Sequence, residues 1–202
     1  MRLFVAVELD EPAREFLQRA QRLLAGFDAL VRWARCEQMH LTLKFLGNVP
    51  DDGVVAACDA VRRAVAGLPP FEMTLGGFGC FPESGRARVL WSRIDEPSGT
   101  LLTAQRRLDE EFFPLGFAPE KRAYTPHITL GRIRADTSRG ALRGAVADLP
   151  AGSVVQPVSE IVMMQSVLMR SGAVYTPVAR CSLGQRAAAP SLRQKGSQSH
   201  DS

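Results

Sequence analysis

Two short stretches carry the residue types that can move protons and hold an anion: His40-Leu41-Thr42-Leu43 and His127-Ile128-Thr129-Leu130. Each alternates polar and apolar residues, which predicts a β-strand with one face buried. Residues i and i+2 of a strand share a face, so His40 lies beside Thr42 and His127 beside Thr129. Their separation is about 6.5–7 Å, from a rise of about 3.3 Å per residue. Leu41, Leu43, Ile128 and Leu130 point the other way, into a core. The chain has only three histidines and eight threonines, so chance seldom repeats this pattern in two matching apolar frames. Two imidazoles and two hydroxyls around one small anion suit metal-free, in-line displacement at phosphorus. Near neutral pH a neutral imidazole takes a proton from water, and a protonated one gives a proton to the leaving oxygen. The hydroxyls donate to the non-bridging oxygens, where charge grows.

The residues around the motifs extend the pattern. The stretches His40-Leu41-Thr42-Leu43-Lys44-Phe45-Leu46-Gly47 and Tyr124-Thr125-Pro126-His127-Ile128-Thr129-Leu130-Gly131-Arg132 resemble the two signatures of the two-histidine (2H) phosphoesterases. Within them, the similarity is to the bacterial and archaeal RNA 2',3'-cyclic phosphodiesterases, historically called 2'-5' RNA ligases. The opening Arg2-Leu3-Phe4-Val5-Ala6-Val7-Glu8-Leu9, the segment Ala87-Arg88-Val89-Leu90-Trp91 and Tyr175-Thr176-Pro177 also fall where similar segments lie. The resemblance covers about residues 1–183. It implies an α+β fold of two lobes, with antiparallel sheets flanked by helices, related by a pseudo-twofold axis and meeting at a cleft that carries both His-x-Thr-x motifs.

The activity implied is hydrolysis of a 2',3'-cyclic phosphate RNA end to a 2'-phosphomonoester, with the bond to the 3' oxygen broken. The resemblance makes His40 the proton donor and His127 the acceptor, an assignment that spacing alone leaves open. Thr42, Thr129 and Arg132 are the candidate substrate-binding residues, and neither metal nor cofactor is expected. By strict alternation Lys44 shares the face of His40 and Thr42, and Arg88 and Trp91 are further candidates for nucleotide contact. Two alternatives use the same residues: reversible 2'-5' RNA ligation at the same site, and a non-catalytic protein that holds RNA ends.

Other classes find little support. No G-x-S-x-G nucleophile signature is present, and two histidines 87 residues apart supply too few ligands for a mononuclear zinc site. The cysteines Cys36, Cys58, Cys80 and Cys181 form no C-x-x-C pair and read as idle thiols. No apolar run approaches the roughly 18 residues of a membrane span, and the Leu3–Val7 run is too short for a secretory signal. A cytoplasmic protein is expected, and nothing calls for more than a monomer. The net charge of +4 is mild. Arg186, Arg193 and Lys195 against Asp201 place +2 of it in residues 185–202. The body is therefore not a strong nucleic-acid binder by its field alone, although it is compatible with an RNA-end substrate.

The elements that must position the motifs follow from local pattern. A strand over Arg2–Leu9 precedes a helix opened by Asp10, Glu11 and Pro12, with Phe16, Leu17, Ala20, Leu23, Leu24 and Phe27 on one face. A short strand and the first His strand occupy Val31–Phe45, and a second helix begins near Val54 and ends before Pro69-Pro70. Phe71–Leu75 and Arg88–Ile94 form paired strands. The glycines Gly76, Gly77 and Gly79 between them read as a bend or bulge, since they lack the Gly-Lys-Ser/Thr ending of a phosphate loop. A third helix fits Ser98–Phe113. Residues 135–153 form a short helix or loop, and Val154–Met169 and Val174–Leu183 are two more strands. One bilobal domain is expected over residues 1–184, followed by a disordered tail over 185–202.

Overall fold

A computed structural model describes residues 1–120, 122–134, 137–170 and 172–184; the tail expected from residue 185 lies outside them. The strands are β1 (Arg2–Glu8), β2 (Val31–Trp33), β3 (His40–Asn48), β4 (Phe71–Phe81), β5 (Val89–Asp95), β6 (His127–Ile133), β7 (Ser153–Val158), β8 (Glu160–Met169) and β9 (Gly172–Ser182). The α-helices are α1 (Glu11–Leu23), α2 (Val54–Val65), α3 (Thr100–Phe112) and α4 (Ala141–Ala147). Asp10 caps α1 as its sequence predicts: a carboxylate oxygen accepts from the Ala13 N–H at 2.9 Å, with Pro12 in the first turn.

The strands form one nine-stranded antiparallel sheet in the order β7-β4-β5-β6-β3-β1-β8-β9, with β2 paired alongside β6. The order reads symmetrically about its middle. β6 and β3, the two His strands, are neighbours there, and three further strands extend from each. This is the expected α+β architecture with a pseudo-twofold relation, its two halves belonging to one continuous sheet. The helices lie on one face: α2 on β8 and β9, α3 on β3, α1 on β7 and α4 on β4. Between helices and sheet sit the fully buried side chains of Leu17, Leu41, Met73, Leu108, Phe112 and Ile128. The other face is left to the cleft.

Three expectations need correction. Val154–Met169 is two strands parted at Ser159; β7 pairs with β4 at one end of the sheet and β8 with β1 in the other half. Local pattern cannot register such a jump because both pieces read as apolar-rich extended sequence with only Ser159 between them. β4 continues through the glycines to Phe81, with its register broken between Gly76 and Phe78 where Gly77 takes φ +67°. The bulge reading of that stretch therefore holds. On α1 the buried stripe is Ala13, Leu17 and Ala20, continued by Leu24, whereas Leu23 is 56% exposed. Cys58, Cys80 and Cys181 are buried, Cys36 is partly so, and all four are free thiols.

Candidate active site

The two His strands meet at a single registered pair, Leu41 opposite Ile128. Extending that antiparallel register by one residue each way sets His40 across from Thr129 and Thr42 across from His127. Each histidine therefore has one threonine beside it on its own strand and the other across the junction. All four residues line one cleft of about 530 Å³. Leu41, Leu43, Ile128 and Leu130 are buried on the opposite face, as alternation requires.

Beyond the threonines, alternation is interrupted, and in the same way in both halves. On β3, Thr42 pairs with Ala6 and Lys44 with Val5, which leaves Leu43 as an extra residue. On β6, Thr129 pairs with Trp91 and Gly131 with Leu90, which leaves Leu130 extra. A bulge of this kind shifts every later side chain to the other face. Lys44 is therefore carried into the core, 2% exposed, and does not share the face of His40. Its ammonium donates to Asp109 Oδ1 of α3 at 2.5 Å and to the Ala118 carbonyl at 3.2 Å. The same shift turns Arg132 to the cleft, where strict alternation would have placed Gly131, and brings Phe45 to the matching place on β3. Both line the cleft. The carbonyl of the extra residue on β6 is satisfied: Leu130 O accepts from Ala34 N at 2.8 Å and from Gln21 Nε2 of α1 at 2.9 Å.

Both imidazoles are held alike. His40 Nδ1 lies 2.8 Å from the Gln38 carbonyl and His127 Nδ1 lies 2.7 Å from the Thr125 carbonyl, two residues upstream in each case. A carbonyl only accepts, so each Nδ1 carries the proton. Nε2 is left as the atom of each ring able to exchange a proton in the cleft. The rings are braced by aromatic neighbours. His40 packs against Phe4 with centroids 4.7 Å apart and edge-on to Tyr175 at 5.1 Å. His127 lies edge-on to Phe81 at 5.1 Å, and Phe81 in turn stacks on Trp91 at 4.9 Å. Burial lowers the pKa of His40 below its ordinary value, with the Gln38 carbonyl pulling the other way.

The remaining cleft residues include Arg2, Arg32, Gln38 and Tyr175, and no carboxylate is among them. Sequence reasoning missed Gln38, whose carbonyl holds His40 while its Nε2 donates to Ala173 O of β9 at 2.6 Å. It also missed Phe45; the signal available was its spacing of five residues after His40, the same as Arg132 after His127. Arg88 and Trp91 do not line the cleft; the Trp91 ring covers Gly79, where a Cβ would come within 2.5 Å of Cζ2. Among the described residues no group of three or more His, Cys, Asp or Glu could hold a metal ion. No helix among them is long and apolar enough to cross a membrane.

Residues 4–167 match the profile of the 2'-5' RNA ligase superfamily. A protein of Methanothermobacter thermautotrophicus named RNA 2',3'-cyclic phosphodiesterase is 37% identical over 179 residues, covering 87% of this chain and 95% of that one. A protein of the same name from Aeropyrum pernix is 35% identical over 162 residues, covering 79% and 90%. Among solved structures, a Thermus thermophilus protein superposes with a TM-score of 0.77 at 27% identity, covering 93% of this chain and 100% of that one. Escherichia coli LigT complexed with 3'-AMP superposes with a TM-score of 0.74 at 27% identity, covering 91% and 98%. The chain belongs to the 2'-5' RNA ligase superfamily, the two-histidine phosphoesterases.

Proposed function

We propose that the protein is an RNA 2',3'-cyclic phosphodiesterase that opens the cyclic phosphate at an RNA end to leave a 2'-phosphomonoester. The observation that carries this reading is the matched clamping of His40 and His127 through Nδ1–H to backbone carbonyls, each ring set beside one threonine and across from the other. Relatives bearing that name align over 87% and 79% of this chain and support it.

In this reading His127 Nε2 takes a proton from water as the water oxygen bonds to phosphorus. His40 Nε2–H gives its proton to the 3' oxygen as the bond from phosphorus to that oxygen breaks. One water is consumed, and both imidazoles finish in the opposite protonation state. Acid and base catalysis of this kind contribute about 10²–10⁴ each in rate. The Thr42 and Thr129 hydroxyls donate to the non-bridging oxygens, and the Arg132 guanidinium neutralises the phosphate. Burial favours neutral His40, so its role as donor requires the anionic substrate to draw a proton onto Nε2. The arriving phosphate supplies that field.

A short RNA ending in a 2',3'-cyclic phosphate, incubated with the protein in EDTA, tests the proposal. The expected product has gained one water and carries its phosphate on the 2' oxygen. An unchanged RNA end, or a 3'-phosphate product, would overturn it.

A further inference from the structure

The cleft holds more positive charge than its reaction uses. β2 lies antiparallel to β6 with Arg32 directly opposite Arg132, and both line the cleft. Residues directly opposite in an antiparallel pair project from the same face with Cα atoms about 4.5–5.5 Å apart, and like charges in that relation destabilise the sheet. Several exposed arginines elsewhere do meet carboxylates, among them Arg62 with Asp59, Arg63 with Glu111, Arg106 with Glu110, and Arg180 with Glu8 and Glu160. Arg32 and Arg132 have no carboxylate partner among the described residues, and no Asp or Glu lines the cleft.

A cyclic phosphodiester carries one negative charge. Arg132 and a protonated imidazole already more than match it, which leaves Arg32, like Arg2 in the same cleft, without an anion. The Arg32 guanidinium also reaches the β8–β9 hairpin. Its Nη2 lies 3.8 Å from the point a Cβ of Gly172 would occupy, at the start of β9. That strand is fixed in place by the Gln38–Ala173 hydrogen bond. On the same wall Leu168 of β8 lines the cleft while 70% exposed, offering an apolar surface to a flat base. The volume of about 530 Å³ accommodates a nucleotide with part of its neighbour rather than a bare phosphate.

We infer that Arg32, with the β8–β9 hairpin beside it, forms a second anion subsite that takes the phosphodiester one nucleotide upstream of the reacting end. This rests on the phosphodiesterase reading for the orientation of the strand, but it makes a separate statement: the protein recognises an oligonucleotide end in preference to a single cyclic nucleotide. The opposed arginines then have an anion each, and their mutual repulsion is relieved when RNA binds.

Calorimetric affinities for product ends test this without requiring turnover. The probes are a nucleoside 2'-monophosphate and a dinucleotide ending in a 2'-phosphate, titrated into wild type, Arg32→Gln, Arg32→Lys and Arg132→Gln. Wild type should bind the dinucleotide about tenfold or more tighter, as expected of one charge-assisted contact. Arg32→Gln should abolish most of that advantage and Arg32→Lys keep part of it. Arg132→Gln should weaken both ligands alike. The logarithmic salt dependence of dinucleotide binding should also become shallower by about 0.7 in Arg32→Gln, the value for one phosphate contact on a single strand. An unchanged dinucleotide advantage in Arg32→Gln, or an equal loss for both ligands, would overturn the second subsite. Failure of the phosphodiesterase reading would appear separately, as wild type that shows the affinity pattern and turns over no cyclic end.

Discussion

The phenol of Tyr124 donates to the main-chain carbonyl of Thr42 at 2.9 Å, joining the segment that leads into one His-x-Thr motif to the strand that carries the other. Because β3 and β6 share only the Leu41–Ile128 pair, this bond and the reach of Lys44 to the Ala118 carbonyl do much of the work of fixing one histidine relative to the other. Burial pushes the Tyr124 pKa upward, so the hydroxyl remains a donor across the working pH range.

Tyr124→Phe should therefore act on turnover more than on binding. Losing one neutral hydrogen bond costs about 1 kcal/mol, and the loosened geometry should lower kcat about three- to tenfold. KM should change less than twofold. Steady-state kinetics with a cyclic-phosphate RNA give the split; a KM effect with unchanged kcat would place Tyr124 on the substrate instead.

His40 gives a pH signature with a defined sign. Its folded-state pKa is depressed by burial relative to about 6.5 in an unfolded chain, so the folded protein resists protonation there. Its contribution to stability is present above about 6.5 and is lost as pH falls through the lower folded value. Thermal melts should show Tm falling over that interval, with a shallower fall in His40→Gln. Sulfate, whose charge is constant over this range, should raise the midpoint of the His40 ring resonance in an NMR titration. A midpoint unmoved by sulfate would deny that the cleft anion draws a proton onto this imidazole.

The buried pair of Lys44 and Asp109 makes a prediction about stability. Asp109 also accepts from Gln105 Nε2 at 2.8 Å, and its side chain is 19% exposed. Removing the ammonium alone, as in Lys44→Met, leaves this carboxylate short of a partner and should cost about 3 kcal/mol in urea unfolding. Removing both charges in Lys44→Met with Asp109→Leu should return stability to within about 1 kcal/mol of wild type, because the desolvation penalty goes with the pair. Additive losses would mean that the two residues do not interact.

The grouping of the candidate residues was legible because alternation over four residues fixes which side chains share a face: His40 with Thr42, His127 with Thr129, and the leucines and isoleucine behind them. Legibility stopped at the bulges. Leu43 and Leu130 are ordinary strand residues that nothing marks as extra, yet they send Lys44 inward and Arg132 outward. The pairing of β2 with β6 was equally invisible, since a three-residue strand carries almost no periodic signal, and with it went the opposition of Arg32 to Arg132. Gln38 was hidden for another reason. It acts through its carbonyl on His40 and through its amide on Ala173, more than a hundred residues away in the chain.

The central claim, that two imidazoles carry the acid and base roles, is tested most directly by turnover and affinity measured together in His40→Ala and His127→Ala. With a cyclic-phosphate RNA at saturation, each variant should lose at least about 10² in kcat, while affinity for the 2'-phosphate product end falls by less than about tenfold. Retention of wild-type turnover within tenfold by either variant would contradict the account, and so would a wild type that binds the RNA end tightly without opening it.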